Sequence, residues 1–294
     1  MKKRSIKEAA ICFSGQVKTL DLCYPYLKKN FLDNIKSYDI FCCAEDDSDI
    51  EKIDLLKPTK VIRVRSPEVD KLIKRDIDQL NKGNYKDFIL PQSGRFNFRN
   101  IYQQLYKIKG VFKLLKQHME ENNVHYKYFI RIRFDFLPLN KIKMRDFNFK
   151  RNGVVTPRIR NLNPKIQVND MFCVTRDIET FETYCSIIDH YKEVVRKNIS
   201  LKTNFSKKLY LSFEKKYNSF FISLLKDKGQ LSKNVLGFLL LLTKNIYFKF
   251  KEGARCSLEK AFFYHLKNEG KKVHDEPIDF IIVRNPMDGL LIFG

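Results

Sequence analysis

The sequence predicts an α/β fold: a mostly parallel central sheet flanked by helices, with a basic helical insertion late in the chain. Three observations carry that prediction. Short apolar runs alternate with helical periodicity through the first half, the pattern of a parallel sheet. A glycine-containing turn follows the first run, where open α/β sheets bind ligands. A later run ends in Ile130-Arg131-Ile132-Arg133-Phe134-Asp135, and a strand's period of two sets its three charges on one face. At 294 residues the chain has room for a full core. We divide it into an α/β core over 1–198, a basic, mainly helical insertion over 199–252 and a C-terminal helix and strand over 253–294 that complete the core.

Taken in order, Ala9–Phe13 is the first strand and Ser14-Gly15-Gln16-Val17-Lys18-Thr19 the turn after it. Leu20–Asn34 follows as helix. Tyr38–Ala44 is a second strand ending in Glu45-Asp46-Asp47, and Thr59–Arg65 a third. Residues 66–98 lose the pattern and carry Pro67, Gly83, Pro91 and Gly94, so they read as a long excursion. Asn100–Glu121 regains helical spacing through Ile101, Leu105, Ile108, Phe112 and Leu115. Tyr126–Arg133, Gly153–Thr156 and Met171–Thr175 are strands, the last two separated by the polar loop Pro157–Val168. Ile178–Val195 and Ser257–Glu269 are helices, and Asp279–Val283 is the last strand.

Composition narrows the partners. Lys and Arg number 56 against 34 Asp and Glu, a formal charge of +22, which points to an anion: a phosphorylated substrate, a lipid headgroup surface or nucleic acid. A general bias of the composition towards lysine accounts for the excess equally well. Residues 199–252 hold eleven Lys and three Asp or Glu, with Phe205, Leu209, Phe213, Phe220 and the block Gly237–Leu242 interleaved. That stretch reads either as a helical subdomain with a solvated lysine face or as a surface for anionic lipid. No helix-turn-helix spacing, zinc finger or RNP-like aromatic motif favours nucleic acid.

Seven cysteines without CxxC pairs argue against a disulfide framework or a zinc site and for a reducing cytosol. Met1-Lys2-Lys3-Arg4 resembles the start of a signal peptide, but the apolar run from Ala9 stops too soon for one. The longest apolar block, Val235 to Leu242, is far short of the ~18 residues a bilayer span needs. The expected location is cytoplasmic, with peripheral attachment to the inner face of the membrane as an option.

Two arginines and an acid on one face suit a phosphate group accompanied by a divalent cation. An internal Arg–Asp pair capping the strand is the alternative, and it leaves one arginine without a partner. The turn Ser14–Thr19 offers free backbone N–H groups at a helix N-terminus, with Lys18 and Thr19 beside them. It contains neither GxGxxG nor GxxxxGK[ST], so no dinucleotide fingerprint and no Walker A loop is present. An ordinary βα turn with Thr19 as the helix cap explains it as well.

Several of these segments occur in one order: Phe-Ser-Gly-Gln-Val-Lys-Thr at 13–19, Tyr102-Gln103-Gln104-Leu105-Tyr106-Lys107, Arg131-x-Arg133-x-Asp135, Val168-Asn169-Asp170-Met171-Phe172 and Ser257-Leu258-Glu259. The series resembles bacterial glycosyltransferase-like proteins of surface-polysaccharide (capsule or lipopolysaccharide) synthesis, over roughly residues 9–175 and 254–284. The resemblance implies a GT-A-like, nucleotide-diphospho-sugar transferase domain. It further implies transfer of a sugar from a nucleotide-sugar donor to a cell-surface glycan or lipid-linked acceptor.

On that resemblance Asp135 is the acid of a degenerate Asp-x-Asp site for Mn²⁺ or Mg²⁺, with Arg133 standing where the first Asp is usual. His274 is an additional metal ligand. Ser14, Gly15, Gln16, Lys18, Thr19, Arg131, Arg133 and Asn169 bind the donor, and Glu259 or Asp170 deprotonates the acceptor hydroxyl. Simpler accounts exist for the last residues: Glu259 as a first-turn acid complementing the helix dipole, Asn169-Asp170 as a turn-forming pair, His274 as a surface histidine. Within enzymes the rival is a sugar-phosphate nucleotidyltransferase, which normally has a Gly-rich basic loop after the first strand. Outside them it is a polybasic membrane- or nucleic-acid-binding module.

Overall fold

The computed structural model describes residues 5–82, 98–158, 168–195, 258–283 and 291–293. In chain order the elements begin with β1 (Ser5–Gly15), α1 (Leu20–Asn30), β2 (Tyr38–Glu45), β3 (Lys60–Val64), α2 (Ser66–Lys82) and α3 (Phe98–Asn122). They continue with β4 (Val124–Ile132), β5 (Phe136–Pro138), β6 (Gly153–Pro157), β7 (Phe172–Thr175) and α4 (Ile178–Cys185). The last are α5 (Leu258–Asn268), β8 (Lys272–Glu276), β9 (Phe280–Ile282) and β10 (Leu291–Phe293).

A seven-stranded sheet runs β3-β2-β1-β4-β7-β6-β8. β1 pairs in parallel with both β2 and β4, β3 extends it in parallel, and β7 enters antiparallel. The mixed, mostly parallel α/β sheet anticipated from the sequence is therefore present. β1 lies in its interior, beside the central β4; Ala9–Phe13 is apolar at every position and fully buried, as a strand covered on both faces must be. The chain leaves β1 towards β2 and β3, then returns through α2 and α3 to β4 on the other side of β1. That reversal is the switch point at which open sheets form a crevice beyond their carboxyl ends. A second, three-stranded sheet, β10-β9-β5, is antiparallel.

Alternation sorts the strands into two cores. Ala10, Cys12, Phe41, Cys43 and Phe129 pack on the α3 side, and Ala9, Ile11, Phe13, Ile130 and Ile132 on the other. α3 lies on the first face through Ile101, Leu105, Ile108, Phe112 and Leu115, all buried as their spacing predicts. Each contributes about 1.5–3 kcal/mol of burial. The helix approaches closely at Gly110, where a Cβ would lie 2.9 Å from Cys43 Sγ.

Several boundaries and elements differ from expectation. Residues 66–82 form the helix α2, not an excursion: Pro67 stands in its first turn, where its missing N–H costs nothing, and Val69 and Ile73 are buried four apart. β4 ends at Ile132, so Arg133–Asp135 form a turn, closed by a Phe136 N–H bond to the Arg133 carbonyl at 3.3 Å. The helix expected over Leu20–Asn34 ends at Asn30, followed by a 3₁₀ turn at Leu32–Asn34. The one expected over Ile178–Val195 breaks at Ser186, whose N–H still bonds to the Glu182 carbonyl at 2.8 Å. β5 and β8 escape pattern reading: one is three residues ending in proline, the other is Lys-Val-His-Asp-Glu. The basic insertion, 199–252, lies outside the described residues.

Candidate active site

Past the carboxyl ends of β1, β2 and β4 opens a cavity of about 430 Å³, within the range of small-molecule sites. The N-terminal half of α3, the start of α5 and residues Asp170 and Met171 complete its walls. Strand alternation explains its charged lining. Ser14 continues the Ala10–Cys12 face of β1, Glu45 the Phe41–Cys43 face of β2, and Arg131 the Phe129 face of β4. All three emerge beneath α3.

Arg131 spans the switch point. Its Nε donates to Ser14 Oγ at 3.1 Å, and its side chain is wholly buried yet lines the cavity. Neither terminal guanidinium nitrogen has a hydrogen-bond partner among the described residues. Its register neighbours are Cys12 on β1 and Cys173 on β7. Burial pushes the Cys173 thiol up to about 12 and the Cys12 thiol and Tyr184 phenol well above their ordinary values, so at neutral pH none of them offers a negative charge.

Arg133 and Asp135 pair with each other. Nε and Nη2 of Arg133 donate to the two oxygens of Asp135 at 2.8 and 2.5 Å. Arg133 Nη1 also stands 3.8 Å from Asp170 Oδ2. Burial alone would favour the neutral arginine, but Asp135, Asp170 and Glu259 together hold the guanidinium firmly charged. Asp170, itself buried, accepts a bond from Gln104 Nε2 at 2.5 Å.

On the far wall Glu45 meets Lys107 Nζ at 2.5 Å, with side chains only 11% and 4% exposed, and accepts from Ser66 Oγ. Burial raises the Glu45 carboxyl, yet the bonds from Lys107 and Ser66 outweigh it and leave it below the usual glutamate range. Gln103 joins this wall to α2, donating to the Ser66 carbonyl at 2.9 Å and to Asp70 at 2.8 Å. Arg99 holds Asp70 bidentately at 2.9 and 2.8 Å and so lowers its pKa.

The cavity thus gathers Ser14, Gly15, Gln16, Lys18, Thr19, Arg131, Arg133, Asp135, Asp170 and Glu259 from the residues singled out in the sequence. Gly15 has φ +138°, a backbone state that favours glycine. Thr19 lines the wall but does not cap α1 with its side chain; its hydroxyl donates to the Val283 carbonyl. Asn169 is buried behind the wall, where Oδ1 accepts from the Met171 N–H at 2.9 Å. His274 is a clearer departure. It sits on β8, three strand spacings from β4, which at ~4.8 Å each is roughly 14 Å of sheet. Burial and Lys150 lower its pKa there.

These placements bear on the expected metal. Both oxygens of Asp135 already accept from Arg133, and His274 is remote. Among the described residues no group of three His, Cys, Asp or Glu side chains could hold a metal ion. The donor set does not fit a resident divalent cation. Glu45, at the end of β2 expected to meet the nucleotide, is in the wall, together with Ser66, Arg99, Gln103, Gln104 and Lys107, which the sequence did not single out as site residues. The acidic end of β2 and the Gln103-Gln104-Lys107 stretch are visible in sequence, but their pairing across some sixty residues is not.

Among the described residues no helix is long and apolar enough to cross a membrane. A family model described as "Domain of unknown function (DUF7796)" matches residues 4–228. A comparison with curated proteins gave no match. Among solved structures, mouse xyloside xylosyltransferase 1 in its apo form is similar with a TM-score of 0.40 and 11% identity, covering 92% of this chain and 84% of that one. The apo WbbM bifunctional glycosyltransferase matches with a TM-score of 0.33 and 13% identity, over 64% of this chain and 35% of that one. An active-site mutant of LgtC matches with a TM-score of 0.34 and 11% identity, over 62% and 64%. At these values the likeness assigns no residue a role.

Proposed function

The chain belongs to the DUF7796 family, whose description names no activity, and we propose from its cavity that it is a nucleotide-sugar-dependent glycosyltransferase. The acceptor we infer is a cell-surface glycan or its lipid-linked precursor. One observation carries the reading: a wholly buried guanidinium, Arg131, lines a cavity at the sheet's switch point with both terminal nitrogens unpartnered among the described residues. A buried charge without a partner is costly, and a diphosphate at the carboxyl ends of β1 and β4 offsets that cost.

In this reading Ser14, Gly15, Gln16, Lys18 and Thr19 line the donor's diphosphate and nucleotide, and the end of β2 bounds the nucleotide side. Arg131, with Arg133 in the same wall, stabilises the charge that develops on the leaving nucleotide diphosphate as the glycosidic bond breaks. Glu259 at the start of α5 or Asp170 takes the proton of the acceptor hydroxyl. Both line the same cavity as the arginines.

Calorimetric titration with UDP-, GDP-, CDP- and CMP-sugars, with and without Mn²⁺, tests the reading. One of these donors is expected to bind in the micromolar to millimolar range. If none binds under either condition, the chain is not a transferase of this kind.

A further inference from the structure

Among the described residues, the cavity wall has unfilled capacity for an anion and no carboxylate left over for a cation. Three of the carboxylates in its wall are hydrogen-bonded, Asp135 by Arg133, Asp170 by Gln104, and Glu45 by Lys107 and Ser66, and the charge of Glu259 acts on Arg133. Arg131 is buried with two nitrogens unpartnered among the described residues. A divalent ion placed here would have to strip Asp135 from Arg133 and leave that guanidinium, 21% exposed, without its bidentate partner. A diphosphate entering without metal breaks no pair and would supply acceptors to the two terminal nitrogens of Arg131, which are buried in the empty cavity and must be uncovered as it binds.

We propose that this cavity binds the diphosphate of its nucleotide donor through Arg131 without a resident divalent cation, the Arg133–Asp135 pair serving to occupy the acid at the end of β4. The proposal rests on the glycosyltransferase reading but is separable from it. Arg131 also acquires a double role: it is a liability to the empty fold and the anchor of the bound one.

The test is titration of UDP, GDP and CDP into the full chain, in excess EDTA and in Mn²⁺, for wild type, Arg131→Met and Asp135→Asn. The expected result is a nucleotide that binds equally well in EDTA and in Mn²⁺. Arg131→Met should weaken it by about 10- to 100-fold, the loss of charge-assisted bonds. The same variant should unfold at a higher urea concentration than wild type, because an apolar side chain of similar length replaces a buried unpaired charge. Asp135→Asn, which needs no change at Arg131, should keep or tighten binding in EDTA by releasing Arg133. Binding that requires Mn²⁺ and collapses in Asp135→Asn overturns the metal-free site while leaving the transferase reading standing. An Arg131→Met protein that binds as wild type overturns the assignment to Arg131. Absence of nucleotide binding in both conditions sinks the transferase reading itself, and this inference with it.

Discussion

Arg133 closes on Asp135, two residues along the chain, through Nε at 2.8 Å and Nη2 at 2.5 Å. The pair is possible because β4 ends at Ile132 and the next three residues turn, folding the acid back to its own arginine. In an extended strand the two side chains would stand side by side, ~6.6 Å apart at the backbone, with their ends free for a ligand. A local turn thus converts what looks like half of a metal motif into an internal salt bridge.

Coupling between these two residues is the first prediction. Both are partly buried, so Arg133→Ala strands a carboxylate and should cost about 1–3 kcal/mol, whereas the double variant with Asp135→Asn should recover part of it. Urea denaturation of the four proteins of the cycle measures the coupling. A value within error of zero means the pair is only a surface contact.

The Glu45–Lys107 pair predicts an acid limb to stability. The folded Glu45 carboxyl lies below its unfolded value, so its stabilising contribution is complete above roughly pH 4.3, the ordinary glutamate pKa. It is lost as pH falls through the depressed folded value. Lys107→Met leaves the carboxylate buried and unpaired, at a cost of about 3–5 kcal/mol near neutrality. In acid, where Glu45 is protonated, the gap to wild type should shrink. Denaturation midpoints taken between neutral and acid pH check the sign, and a gap that does not change with pH shows that the carboxylate is not its origin.

Much of this site could be read from the chain and part could not, for physical reasons. Alternation along a strand is local, so the face on which Arg131 leaves β4 followed from the sequence. So did the position of Ser14–Thr19 at a βα turn. Arg133, expected on the same face as Arg131, lies instead in the turn beyond Ile132 where the strand has ended. The partner of Lys107 depends on how α3 is laid across β2, a relation between residues 62 apart. His274 failed because its neighbourhood is set by sheet order, which places β8 at the edge. Pro67 opens a helix where the sequence pattern predicts a break, since the same fixed φ serves both.

Acceptor deprotonation gives a kinetic prediction. Asp170 is buried and bonded to Gln104, whereas Glu259 is half-buried in the first turn of α5. Glu259→Gln and Asp170→Asn should separate the roles: the variant lacking the base should lose about 10²–10⁴ in kcat with donor affinity unchanged. The other should alter donor binding or stability instead. Activity with the donor identified by titration, measured beside its Kd, distinguishes them, and two variants with undiminished kcat would remove both residues from the chemistry.

Gly15→Ala should destabilise through the backbone alone. An added Cβ finds its nearest neighbour, Phe134 Cδ2, at an ordinary 4.0 Å, so space is not limiting. The φ of +138° is the obstacle and should cost about 1–3 kcal/mol. Because the turn carries Ser14 to Arg131, the same variant should weaken nucleotide binding. An alanine variant with wild-type stability and affinity would show that the turn relaxes freely.

Gly110 poses the opposite case, in which space and not conformation is limiting. It lies in the middle of α3, where alanine is intrinsically favoured over glycine by about 0.5–1 kcal/mol. Yet a Cβ there would come within 2.9 Å of Cys43 Sγ, while Cys43 Cβ stands at 3.8 Å. Gly110→Ala must therefore displace either the helix or the buried thiol, and overpacking of this kind costs about 1–3 kcal/mol. Removing only the sulfur, as in Cys43→Ala, leaves room for the new methyl beside the remaining Cβ. The single variant should be less stable than wild type, and the Gly110→Ala, Cys43→Ala double variant should be more stable than Gly110→Ala alone. Because the same helix carries Gln103, Gln104 and Lys107 into the cavity wall, nucleotide affinity should fall and recover in step with stability. A double variant no more stable than the single one would mean that α3 does not rest on β2 at this contact.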